Sequence, residues 1–110
     1  MLKSHEKFHS ANGRRLILIA DDEAINREML GLTLSDDHDV IYAADGQETL
    51  DQARKYKDDL SLLLLDIMMP VKSGLDVLRE MKADPALKHI PVIVLTADQN
   101  AEVESLTIGA

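Results

Sequence analysis

Four short apolar runs, each followed by a stretch of helical spacing, constrain this chain more than any other feature. The runs are "RLILIA" at residues 15–20, "DVIYAA" at 39–44, "LSLLLLD" at 60–66 and "IPVIVLTA" at 90–97. After the first, Ile25, Met29 and Leu32 recur at helical intervals, Leu30 and Leu34 widen the apolar face, and Asp22 is a candidate cap. Residues 45–59 predict a second helix capped by Asp45, with Leu50 and Ala53 inward. Residues 72–84 predict a third, with Leu75, Leu78 and Met81 inward, and residues 99–110 begin a fourth, with Val103, Leu106 and Thr107 or Ala110 inward. Strand–helix alternation of this kind implies an α/β domain: a doubly wound parallel sheet with helices on both faces. Three of the runs are almost continuously apolar, as strands buried on both faces require, whereas "DVIYAA" suits an edge. Pro91 fits only at the start of its strand.

Composition narrows the functional classes. A chain of 110 residues makes one domain. With aromatics at 3%, its core must be built from Leu, Ile, Val, Met and Ala. The net charge of −8 argues against direct binding of nucleic acid, which needs a surplus of Lys and Arg, but suits a cation site. The absence of cysteine rules out a disulfide scaffold, a zinc–thiolate site and a Cys nucleophile. No apolar run approaches the roughly 20 residues of a membrane span, and the N-terminus lacks the apolar centre of a signal peptide. Residues 1–14 are expected to form a flexible tail, His5 and His9 included, residues 15–110 the domain, and the cytoplasm the location.

The acids fall in a pattern. In an open α/β sheet, ligands bind outside the carboxyl ends of the strands, near a switch in strand order. The first run delivers Asp21 and Asp22 to that edge, the third Asp66 and the fourth Thr96. With the common order 2-1-3-4 these strands are neighbours, and the four residues share one cleft. An Asp after a strand is often a cap or turn former, and for Asp22 alone that reading is preferred. Asp66 has no helix to cap in the "IMMP" that follows it. Three close carboxylates repel one another, and a divalent cation relieves this. Mg²⁺ suits the oxygen donors. A carboxylate beside Mg²⁺ can attack phosphorus and form an acyl phosphate, and Asp66, being central, is the candidate nucleophile. His38 and His89 lie beside strand starts and read as surface or structural residues.

At these residues the chain resembles a response regulator receiver domain of two-component and phosphorelay signalling. The matching segments are "LILIADDE", "LLLLDIMMPVKSGLDVLREMK" and "IPVIVLTA", in family order and spacing. The resemblance implies a flavodoxin-like receiver fold and a signalling switch rather than a conventional enzyme. It implies that Asp66 is the phosphoacceptor, charged by a sensor histidine kinase or phosphotransfer protein. Asp21 and Asp22, with the backbone carbonyl of Met68, would hold Mg²⁺. Thr96 would be the switch hydroxyl and Ala97 the small residue after it, while Met68 and Asp98 stand at positions that tune phosphate loss.

Family members continue into a fifth strand ending in Lys-Pro and then a fifth helix, neither of which this sequence contains; Lys82 and Lys88 do not substitute. A chain truncated before these elements is expected to self-associate through its exposed fourth strand. An output domain in a longer protein is a further expectation. The alternative is an interaction module that is not phosphorylated, because the lysine is missing. A phosphohydrolase would need an acid where Met68 stands, and a nucleotide binder a Gly-rich loop after the first strand.

Overall fold

A computed structural model describes residues 14–96 and 99–109. The elements run β1 (Leu16–Ala20), α1 (Ala24–Leu34), β2 (Asp39–Ala43), α2 (Gly46–Lys55), β3 (Leu60–Asp66), α3 (Gly74–Ala83), β4 (Val92–Leu95) and α4 (Gln99–Ile108). The strands form one parallel sheet in the order β2-β1-β3-β4, the doubly wound arrangement expected, with β2 at an edge. Of the expected N-terminal tail, residues 1–14, the first thirteen lie outside the described residues, as do Ala97, Asp98 and Ala110, whereas the guanidinium of Arg14 donates to the Ser35 and His38 carbonyls.

Side chains alternate across a strand, so β1 feeds two cores. Leu16, Leu18 and Ala20 join Leu63 and Leu65 under α2 and α3, against Leu50, Ala53, Val77, Leu78 and Met81. On the other face Ile17, Ile19 and Leu64 pack with Leu30 and Leu34 of α1 and with Val40, Leu62 and Leu95. Asp45 caps α2 by accepting from the Glu48 N–H at 2.7 Å, and Ser73 caps α3 by accepting from Asp76. Pro91 stands just before β4, where its carbonyl accepts from the Leu63 N–H.

Two helices turn differently from expectation. On α1, Ile25, Met29 and Leu32 are 71%, 62% and 75% exposed, while Gly31 is buried between the half-buried Leu30 and Leu34. Both stripes have helical spacing, and the side that faces the sheet is the one with Gly31. A Cβ on Gly31 would lie 2.0 Å from the Tyr42 hydroxyl, so the glycine leaves room for the Tyr42 ring where it stands. On α4, Val103, Leu106 and Thr107 are exposed, and Ser105 and Ile108 turn inward. This helix packs on α3, where Arg79 pairs with Glu104. On α3 itself Leu78 and Met81 are buried as expected, joined by Val77, with Leu75 half-buried. Asp22 does not cap α1. Glu23 holds that position with no side-chain cap bond, and the Glu23 N–H donates to Asp21 Oδ1 at 2.9 Å.

Candidate functional site

Register brings the acids together. Ala20 of β1 is level with Leu65 of β3, so Asp21, the next residue, comes level with Asp66. Asp66 in turn pairs with Leu95 of β4, and Thr96 stands one residue beyond. A cleft of about 660 Å³ opens there, lined by Asp21, Asp22, Asp66 and Thr96, with Met68 on its rim and Met29, Leu30 and Leu95 as its apolar wall. Carboxylate oxygens of Asp21, Asp22 and Asp66 lie within 4.8 Å of one another. Asp21 is buried, Asp66 half-buried and Asp22 exposed, so the triad grades from the sheet into solvent. The four residues anticipated from the sequence therefore share one site. No Lys or Arg lines the cleft among the described residues; Lys82 and Lys88 lie on α3 and its exit. His38 and His89 approach the backbone carbonyls of Leu34 and Lys57, away from the cleft.

The local sequence holds Asp66 in place. It ends β3, and the chain turns sharply behind it. The Met68 N–H donates to Asp66 Oδ1 at 3.2 Å, and the Gly74 N–H donates to the Ile67 carbonyl at 2.8 Å. A Cβ on Gly74 would lie 2.3 Å from the Asp66 carbonyl oxygen, so α3 starts this close only because residue 74 has no side chain. Between them Val71 adopts φ 69°, a left-handed conformation uncommon for a β-branched residue. Burial pushes the Asp66 carboxyl above its ordinary value of 3.8, the Met68 N–H opposes this, and the charges of Asp21 and Asp22 push it up further.

These observations fit a hard divalent cation. The donors are all oxygens, they converge from two strands, and their mutual repulsion is what a cation removes. Sequence reasoning missed one residue near them. Arg27 Nη1 donates to the Asp21 carbonyl at 2.7 Å. Its signal was faint: Arg27 shares a stripe with Leu30, Gly31 and Leu34, and helical spacing alone does not mark that stripe as the one facing the sheet.

Fold and site together define a flavodoxin-like α/β protein with an acidic cleft at the switch point of its sheet. The profile of the response regulator receiver domain family matches residues 17–110. Response regulator RR06 of Streptococcus pneumoniae is 48% identical over 84 residues, covering 74% of this chain and 36% of the relative. The chain thus spans about a third of that relative's length. A response regulator receiver protein from Pseudomonas putida superposes with a TM-score of 0.77 at 31% identity, covering 88% of this chain and 81% of that one. The Mn²⁺-bound form of response regulator Rcp1 superposes with a TM-score of 0.77 at 28% identity, covering 87% and 76%. The chain belongs to the response regulator receiver domain family, the switch modules of two-component signalling. Receiver domains bind Mg²⁺ at an acidic pocket and interact with histidine kinases or phosphotransfer proteins. No described helix is long and apolar enough to cross a membrane.

Proposed function

We propose that Asp66 is a phosphoacceptor and that its phosphorylation switches the surface of the domain. The observation that carries this reading is the convergence of Asp21, Asp22 and Asp66, with carboxylate oxygens inside 4.8 Å, in a cleft that also holds Thr96. An Asp66 oxygen attacks the phosphorus of a phosphohistidine on a kinase or phosphotransfer protein. The new O–P bond forms as the P–N bond breaks, and the imidazole nitrogen keeps the electron pair and takes a proton. Asp21, Asp22 and Asp66, with the Met68 backbone carbonyl, would hold Mg²⁺, which neutralises phosphoryl oxygens when bound. Burial of Asp21 fixes the inner ligand, and the exposure of Asp22 leaves the cleft open to an incoming donor. The Thr96 hydroxyl donates to the transferred group and draws β4 toward it. The altered surface then controls an output, in an attached domain or a partner, and the compartment proposed is the cytoplasm.

Incubation with Mg²⁺ and acetyl phosphate tests the reading. Phosphate uptake is expected in the wild type, lost on chelation and lost in Asp66→Asn. One observation favours a second reading, an interaction module without phosphorylation: no cation lines the cleft among the described residues. Complete absence of uptake by the wild type would support that module instead. We also infer that the 110-residue chain self-associates. Ile93 of β4 is exposed, as is the Ile25–Met29–Leu32 stripe of α1, and among the described residues β4 has a strand neighbour on one side only. A stable monomer in light scattering at high concentration contradicts this.

A further inference from the structure

Asp21 is held at three points. Its N–H donates to the Ala43 carbonyl at 3.1 Å, its Oδ1 accepts from the Glu23 N–H at 2.9 Å, and its carbonyl accepts from Arg27 Nη1 at 2.7 Å. The first bond continues the sheet and the second starts a helix. The third belongs to neither. The Asp21 carbonyl is part of the planar peptide group that joins Asp21 to Asp22. A donor fixed on that oxygen fixes the plane between the two acids, and with it the direction in which Asp22 leaves the backbone. Arg27 is half-buried and forms no ion pair among the described residues, in a chain with 20 acids. Its guanidinium is spent on a neutral oxygen one peptide away from a carboxylate pair.

We infer that Arg27 is a positioning residue for divalent-cation binding by Asp21 and Asp22, acting through its hydrogen bond to the Asp21 carbonyl. The inference rests on the metal reading of the triad given above. Groups that orient metal ligands without touching the ion typically change affinity by about 10–100-fold when removed.

The test is Mn²⁺ binding to the 110-residue chain, read from the electron paramagnetic resonance signal of free Mn²⁺ with no phosphodonor present. Arg27→Gln is expected to weaken binding roughly tenfold. Arg27→Met keeps the packing of the stem without a donor and is expected to do the same. Arg27→Lys, which retains a cationic donor, is expected to recover part of the loss. Circular dichroism at the titration temperature identifies the variants that are folded, and the comparison is made among those. Wild-type affinity in folded Arg27→Gln or Arg27→Met overturns the assignment and leaves the metal reading standing. Failure of the wild type itself to bind, or undiminished binding in Asp22→Asn, overturns both.

Discussion

Asp66 is ionised at a cost to the fold. Burial first, and the charges of Asp21 and Asp22 after it, raise its carboxyl above 3.8 against the pull of the Met68 N–H. A raised value means that the folded chain holds this proton more tightly than the unfolded chain does. The resulting stabilisation is complete below 3.8 and is lost as pH rises through the folded value. Asp66→Asn, neutral at every pH, is therefore expected to melt above the wild type at neutral pH without divalent cation. The difference should vanish in acid below 3.8, and an advantage that persists there contradicts the cause assigned. Five residues along, Val71 pays for its φ of 69°. Such strain costs on the order of 1–3 kcal/mol, and Asn tolerates the left-handed region better. Val71→Asn is expected to stabilise the chain by about 1 kcal/mol, read as a higher urea midpoint with an unchanged slope.

At the scale of elements, α3 positions the site by how closely it starts. Gly74 is the first residue of α3, and a Cβ there would meet the Asp66 carbonyl oxygen at 2.3 Å and Ile67 Cα at 2.7 Å. Both are backbone atoms that cannot swing aside. Gly74→Ala is expected to destabilise by about 1–3 kcal/mol in denaturant titration and to slow phosphate uptake. Equal stability would mean that the approach is not as tight as described. All eight elements were legible in the sequence because apolar runs and helical spacing alternate without interruption. The facing of α1 was not. Its apolar residues form two stripes of equal period, and the stripe that faces the sheet carries Gly31 against Tyr42, a contact across 11 positions that no local pattern encodes. On α4 the buried residue among the described side chains is a serine, Ser105, with Ile108 half-buried, where the helix leans on α3. Polarity alone would have placed it outside. The Asp22 cap failed for a similar reason: it competed with Asp21, and only the geometry of the turn gives the Glu23 N–H to Asp21.

For the whole molecule, strand order makes the site. Nothing inside "LILIA" or "LLLLD" names its neighbours; the preference of doubly wound sheets for the order 2-1-3-4 does, and the register then sets Asp21 level with Asp66. The site was therefore readable to the extent that topology was, whereas Arg27, which acts through a backbone carbonyl, left only a charge on a buried stripe. A cation that binds the folded triad stabilises the entire domain, by about 2.7 kcal/mol at a hundred times its dissociation constant. Mg²⁺ is expected to raise the melting temperature of the wild type and to leave Asp22→Asn nearly unmoved; equal shifts in both would place the ion elsewhere. The residue that takes up phosphorus is the decisive observation. After incubation with acetyl phosphate and Mg²⁺, borohydride reduction of the acyl phosphate and peptide mapping by mass spectrometry identify the modified residue. Modification confined to Asp66 is the expected result. Modification of another acid, or of none, contradicts the account.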